Sequence, residues 1–353
     1  MNSRRFFITA VMMFSALGGC VVIPEPLSAN EEAVLRERAL EAIHRAVRYK
    51  QAGSVRAFGI EILQKHEGIA AAPWLRLALE DEEPGVRFAA ALAVGGVKDT
   101  SSRRALMRLV NDPNPSVQTA AYYALHRLGQ SGYADRLPAM LLEHASPEVR
   151  REAAFILGLL DEPGVIKLLA KAMSDPDPTV PSQARQSMAR LGSQEAILEL
   201  KIWANSGAGD RRVLALNALA ELADPALAET FLYKLQQGEF LELRLAAARG
   251  LGLLGRDEGF KLALRALDFD DPLENATDPP RDQVMRVRQL AAAALGAIDD
   301  RRALRPLRRQ LEDSSDPRVQ LAAADAILSI LGTGREHQLP FRQSGRQTSD
   351  SMR

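Results

Sequence analysis

One thiol, five imidazoles and a crowded run of carboxylates are the groups in this 353-residue chain with obvious chemical potential. Cys20 is the only cysteine, so an intrachain disulfide is excluded. His44, His66, His126, His144 and His337 include no HExxH pair and no histidine spaced with a cysteine as a zinc site requires. The carboxylates crowd into Asp268–Asp282 (DFDDPLENATDPPRD), where Arg281 is the only base. Clustered carboxylates suit calcium, but the central glycine and closing glutamate of a helix–loop–helix calcium loop are missing. With Pro272, Pro279 and Pro280 keeping it irregular, the segment 268–283 reads as an acidic, solvated insertion. Gly250 to Gly255 spells GxGxxG, yet it falls in a helical stretch with no strand before it, where no dinucleotide turn forms. No nucleophile elbow and no phosphate-binding loop occurs. The motifs therefore predict no catalytic residue, no metal and no cofactor, and a non-enzymatic chain.

Cys20 gains meaning from what precedes it. A basic start, Met1 to Phe7, leads into an apolar run from Ile8 to Gly19 that is too short for a ~20-residue membrane span. It suits the apolar core of an export leader. The run ends in Leu17-Gly18-Gly19-Cys20, which resembles the bacterial lipobox, where a diacylglycerol is joined to the cysteine thiol and the leader is cut before it. That resemblance implies a leader over 1–19, lipid on Cys20, a membrane partner through that lipid and a place in the bacterial cell envelope. With Val21 rather than Asp after the cysteine, sorting favours the outer membrane facing the periplasm in a two-membrane host. Ser3-Arg4-Arg5-Phe6-Phe7-Ile8 also resembles the twin-arginine export motif, so the general and twin-arginine routes both stay open. Residues 20–30, with Pro24 and Pro26, read as a lipidated tether, and Ser28-Ala-Asn-Glu31 reads as a capping box for the first helix.

The elements that would have to position any site are repeats. A valine or its equivalent recurs at Val55, Val86, Val117, Val149, Val180, Arg211, Leu243, Val287 and Val319, at spacings of 31, 31, 32, 31, 31, 32, 44 and 32. A fixed period in this range marks a solenoid, and the long spacing is a unit plus the acidic insertion. Proline precedes the valine in many copies (Pro84, Pro115, Pro147, Pro178, Pro317), as suits a first helical turn. Asp112, Ser146, Asp177 and Asp316 are placed to cap those helices, and Gly129, Gly158, Gly192, Gly255 and Gly332 to end them or allow close contact. Apolar residues at +4, +7, +8 and +11 from the valine give one buried helical stripe. Each unit is thus two helices around an Asp/Pro turn. The alanines of the second helix allow close backbone approach, and stability comes from stacking. Nine pairs stacked at ~8–10 Å predict a curved rod about 80–90 Å long.

The pattern Pro-x-Val-Arg-x-x-Ala-Ala-x-x-Leu-Gly, carried by Pro84, Val86, Arg87, Ala89 and Ala90 and by Pro147, Val149, Arg150, Ala153 and Ala154, resembles the short bacterial HEAT repeats of the phycobilisome-lyase HEAT-like type over residues 31–332. The resemblance implies an all-α, right-handed α-solenoid of about nine helix pairs. It also implies an arginine ladder, with Arg56, Arg87, Arg150, Arg212, Arg244 and Arg288 bonding to acidic groups in neighbouring turns and gaps at Gln118, Pro181 and Gln320. Such proteins are mostly protein-binding scaffolds. Some relatives assist bilin attachment, which keeps an enzyme or enzyme-assembly subunit related to chromophore lyases as the alternative; an exported lipoprotein argues against it.

A scaffold needs a surface. Positions +2, +6 and +9 lie opposite the buried stripe, on the face that is concave in such solenoids. In repeats two to four these positions hold Phe88, Leu92, Thr119, Tyr123, His126, Arg151 and Phe155, with Tyr122 one place aside, a local cluster in a chain with few aromatics. These are the candidate contacts for a protein partner, though the same rings would also serve to pack neighbouring pairs. Elsewhere Ser182, Gln186, Ala189, Gln289, Ala293 and Gly296 make that face small or polar. Basic and acidic residues balance at 45 each, so no general electrostatic attraction to nucleic acid exists; losing the leader with Arg4 and Arg5 leaves a formal charge of −2. The tail 333–353 lacks apolar periodicity and reads as disordered.

Overall fold

The computed structural model describes residues 24–160, 162–272 and 279–332. Cys20, the leader, the tail and residues 273–278 of the acidic insertion lie outside the described residues. Eighteen α-helices alternate along the chain in nine pairs: α1 (Ala29–Ala46) with α2 (Gly53–Glu67), α3 (Ala72–Ala78) with α4 (Pro84–Val97), α5 (Arg103–Leu109) with α6 (Pro115–Arg127), α7 (Leu137–Leu142) with α8 (Pro147–Leu157), α9 (Val165–Lys171) with α10 (Thr179–Arg190), α11 (Gln194–Ser206) with α12 (Gly209–Ala220), α13 (Ala228–Gln237) with α14 (Leu241–Leu253), α15 (Phe260–Ala266) with α16 (Pro280–Ile298), and α17 (Leu304–Asp313) with α18 (Pro317–Ile330). This is the predicted α-solenoid, with every repeat valine or its equivalent on the second helix of a pair. The Ser28 box forms as expected: the Ser28 hydroxyl accepts from the Glu31 N–H, and Glu31 accepts from the Ser28 N–H at 2.9 Å.

The second helices pack successively on one another, while the first helices are mostly separated. Small residues explain the asymmetry. A Cβ built on Gly95 would lie 2.9 Å from Ala124 Cα, and one on Gly296 would lie 2.9 Å from Ala326 Cα. Both glycines stand at +9, so +9 belongs to the contact between consecutive second helices and not to the concave face. Close inner and spread outer helices make each unit turn the same way.

That turn overturns the expected rod. α1 packs along α18, and α18 also packs against α2, so the ninth pair meets the first. Nine units turning about 40° each complete a circle, and the solenoid closes into a ring. Several ion pairs cross the junction: Arg38–Glu312, Arg301–Glu32, and Lys65–Asp325 at 2.7 Å. His66 lies 2.6 Å from the same Asp325 oxygen.

Smaller departures have local causes. The end of the expected tether is docked: Leu27 is buried, and the Glu25 carbonyl accepts from Arg305 Nε at 3.1 Å. The insertion ends earlier than 283, because Pro280 starts α16. Asp112 does not cap α6; Asn114 does, leaving Asp112 for an arginine. Ser146 flanks α8 without a side-chain cap, whereas Asp316 caps α18 by accepting from the Arg318 N–H. Gly158 ends α8 with an ordinary right-handed backbone and abuts Ser187, unlike the positive-φ Gly129, Gly192, Gly255 and Gly332.

Candidate functional site

The arginine ladder is the first group of predicted residues that the fold assembles. Arg56, Arg87 and Arg150 each reach the aspartate 25 positions on, which sits in the turn of the next unit. The pairs are bidentate: Arg56 to Asp81 at 2.8 and 2.7 Å, Arg87 to Asp112 at 2.8 and 2.9 Å, and Arg150 to Asp175 at 2.6 and 2.8 Å. Two parallel bonds on a planar fork fix the angle between units. The Arg150 guanidinium holds the Asp175 carboxyl below the usual carboxylate range. Each aspartate also accepts a backbone N–H two residues on, which rigidifies its own turn. Arg212 pairs with Glu239, while Arg244 donates to the Leu235 carbonyl and Arg288 to the Phe269 carbonyl. Gln118 and Gln320 keep a different half of the pattern, donating to the carbonyl six residues back at 2.7 and 2.8 Å. The ladder is structural: it spends its charge inside the wall.

The aromatic cluster does not assemble as a surface. Tyr122 is buried and stacks on Tyr133, with ring centroids 6.3 Å apart. Tyr123 is buried against Gly95, and that burial pushes its hydroxyl pKa up. Thr119 is fully buried and donates to the Pro115 carbonyl at 2.8 Å. The expectation that these residues face a partner is corrected: glycine at position 95 leaves a hollow that the Tyr123 ring fills. Phe88 and Leu92 are half-buried against the core. His126 contacts Glu162 at 2.5 Å, and Arg151 is exposed.

Phe155 alone among these candidates lines the inner cavity. The cavity holds about 750 Å³ and runs from α8 across α10 and α12 to α16. Its floor is apolar, made by Val213, Leu214, Ala218 and Leu222 of α12 and its end. Gln183 and Gln186 of α10 face Asn217 of α12 across it, and Phe155 and Phe240 flank it. Two ion pairs close its ends: Arg190 with Glu221 at 2.9 Å and Arg286 with Glu242 at 3.3 Å. Arg190 also lies over the Phe155 ring, 5.6 Å from its centroid. Apart from Phe155 and Gln186, these residues were not singled out in the sequence. The +6 register that marks Phe155 and Gln186 also marks Asn217, but amides carry no motif, and the +3 residues Gln183 and Leu214 fall outside the positions tracked.

Elsewhere on the inner wall, Glu61 at +6 of α2 meets solvent yet is hemmed in by protein, and this burial pushes its carboxyl pKa up. On the outer layer Leu77, Ile202 and Tyr233 are largely exposed. Among the described residues no three His, Cys, Asp or Glu are grouped to hold a metal ion, and no helix is long and apolar enough to cross a membrane.

Comparison with known proteins finds HEAT-repeat relatives. A curated relative, a HEAT repeat-containing taxis protein of Halobacterium salinarum, is 32% identical over 178 residues; the match covers 50% of this chain and 37% of that protein's length. Among solved structures, human deoxyhypusine hydroxylase is similar at 19% identity and a TM-score of 0.37, covering 85% of this chain and 98% of that one. The CpcE–CpcF complex of phycocyanin lyase from Nostoc is similar at 19% identity and a TM-score of 0.39, covering 78% and 98%. The family model for HEAT repeats matches residues 27–126, 71–144, 134–220 and 278–340. With most of its length matched in this way, the chain belongs to the HEAT-repeat family.

Proposed function

We propose that this protein is a non-catalytic scaffold, anchored by lipid on Cys20 to the outer membrane of its host and facing the periplasm, that holds another protein against the inner face of its ring. The observation that carries the reading is the inner cavity, a roomy apolar-floored groove on a wall whose other side chains are mostly spent on packing and on the ladder. Protein-binding energy concentrates in a few such pockets. The anchor rests on Leu17-Gly18-Gly19-Cys20 and the leader before it.

Two measurements test the two halves. Cys20→Ala should move the protein from the membrane fraction to the soluble one; unchanged fractionation removes the anchor. An affinity pulldown from solubilised membranes, read by mass spectrometry, should recover one partner with the wild-type ring. The double change Leu214→Arg with Arg249→Glu alters two inner-wall positions, +3 of α12 and +6 of α14, and should abolish that recovery. A partner retained by this variant argues against the inner face.

A further inference from the structure

We infer that the occupant of the inner cavity is a single extended, uncharged stretch of polypeptide, inserted end-on into the ring; this rests on the scaffold reading above. Three observations lead there. The first is closure. Because α1 and α2 meet α18, nothing enters from the side, and a partner comes through one of the two openings. Nine inner helices spaced ~9 Å apart make a circle of roughly 26 Å across their axes. Subtracting about 10 Å for the helix bodies leaves a passage near 15 Å wide. A domain of ~100 residues, with a radius of gyration of about 13 Å, does not fit, whereas one helix or one strand does.

The second observation decides between helix and strand. Gln183, Gln186 and Asn217 face the cavity, and a side-chain amide both donates and accepts. Among the described residues no bond of the Asn217 side-chain amide competes for it, and the oxygens of Gln183 and Gln186 are left as acceptors while their NH₂ groups donate to Ser187 Oγ and the Ser182 carbonyl. A helix has already satisfied its own N–H and C=O groups, so it has nothing in its backbone to offer these amides. An extended segment presents both, and its alternate side chains reach the Val213, Leu214 and Leu222 floor.

The third observation is charge. The two arginines of the cavity already carry carboxylates, Glu221 on Arg190 and Glu242 on Arg286. A phosphate, a nucleic acid or an acidic peptide would have to break those pairs, and a basic peptide would compete with the arginines for Glu221 and Glu242, finding beyond them only Asp210, a solvent-exposed carboxylate of the lining.

The test uses the mature full-length chain in detergent and fluorescent ten-residue peptides of four kinds: an uncharged Thr/Val/Asn peptide of high strand propensity, an uncharged Ala/Gln peptide that forms helix, and Lys-rich and Glu-rich versions of the first. Fluorescence polarisation should show saturable binding of the first peptide only. Asn217→Ala should weaken it about five-fold, the worth of one hydrogen bond of ~1 kcal/mol. Leu214→Arg, a change at an exposed position on the floor, should abolish it. Preference for the helical or charged peptides, binding that survives Leu214→Arg, or no binding at all overturns the inference. The pulldown separates the two levels. If the Leu214→Arg/Arg249→Glu ring loses its membrane partner while no strand-forming peptide binds the wild type, the scaffold reading stands and the extended segment falls. If neither assay depends on these residues, both fall.

Discussion

Where α16 meets α18 the contact is backbone against backbone, with Gly296 so close to Ala326 that a Cβ would stand 2.9 Å from its Cα. Where α18 meets α2, two side chains share a carboxylate: Lys65 and His66 both contact one oxygen of Asp325, and Lys65 also donates to Ser329 Oγ at 3.2 Å. The first junction is made by the repeat and recurs around the ring. The second is made once, by residues some 260 positions apart. In an open solenoid the terminal units turn polar faces to water. Here the two ends face each other, with apolar residues of α1 and α18 buried beneath the polar pairs, and charged residues that look like solubilising caps become part of the closure. The two kinds of junction therefore fail differently. Removing a packed ring or a ladder arginine leaves a hole or a stranded carboxylate, while disturbing the closure acts through charge.

The largest effect is expected inside the repeat. Tyr123→Ala empties the space between α4 and α6, and truncating a buried aromatic typically costs about 3–5 kcal/mol. Urea unfolding followed by circular dichroism should show a lower midpoint with helix content unchanged in water. A loss below ~1 kcal/mol would mean that the ring is not part of the core and would reopen it as a contact for a partner.

Second in size is Arg87→Ala. It strands Asp112, which is buried with one remaining backbone donor, Asn114 N–H at 2.9 Å. Breaking one side of a buried pair is costly, and the surviving bond moderates the loss to about 2–3 kcal/mol. Arg87→Ala combined with Asp112→Ala should recover part of it in the same assay. No recovery would show that the arginine acts through the Asp81 and Glu82 carbonyls, which it also holds at 2.7 and 3.0 Å.

The difference between the junctions also explains what the sequence disclosed. The helix pairs, the ladder partners in the next turn and the capping box at Ser28 are local or periodic, so each is written in residues about 3 to 31 positions apart. The closure is not. Nothing near Lys65 announces Asp325, and a straight stack and a ring differ only by a small turn per unit. Ring curvature comes from the close packing of the second helices, helped in four units by glycine at +9 (Gly95, Gly158, Gly252 and Gly296), a position that a helical wheel assigns to a face without revealing what it touches. The inner cavity was half legible. Phe155 and Gln186 share the +6 register with Asn217, but aromatics drew attention toward repeats two to four. There glycine makes room for Tyr123, while on α10 and α12 amides and leucines keep a gap open.

The third prediction probes the closure by pH. Burial alone would raise the Asp325 carboxyl, but the hydrogen bond from His66 and the charge of Lys65 hold it down to about 2. Its ordinary value is 3.8. A depressed carboxyl stabilises the folded state fully above the ordinary value, and that contribution drains away as pH falls through the folded one. The shift corresponds to about 2 kcal/mol, present above pH 4 and lost between pH 4 and 2. Other carboxylates, Asp175 among them, also sit low, so the useful quantity is the difference between wild type and Asp325→Asn. That difference should be near 2 kcal/mol at pH 6 and shrink toward zero near pH 2. A difference independent of pH would show that Asp325 matters by shape and not by charge.

The smallest effect concerns the exposed part of the closure. Arg38 and Glu312 form a pair whose side chains are 54% and 37% exposed, and Arg305 lies 3.9 Å from Glu31 at a similarly open site. Exposed pairs contribute ~0–1 kcal/mol and are screened by salt, with a Debye length of about 3 Å at 1 M. Arg38→Ala should therefore change stability by less than ~0.5 kcal/mol. The same reasoning bears on shape. Beneath these pairs, α1 lies along α18, and both helices carry fully buried apolar residues, Leu35 and Ile43 on one, Ile327 and Leu328 on the other. Screening by sodium chloride weakens surface charge and leaves such apolar burial in place. Small-angle X-ray scattering should then give the same compact profile at 0.1 M and 1 M sodium chloride, for wild type and for Arg38→Ala. A radius of gyration that grows with salt would mean that the ring opens when surface charge is screened. The closure would then be electrostatic throughout, and the polar ends would act as a gate.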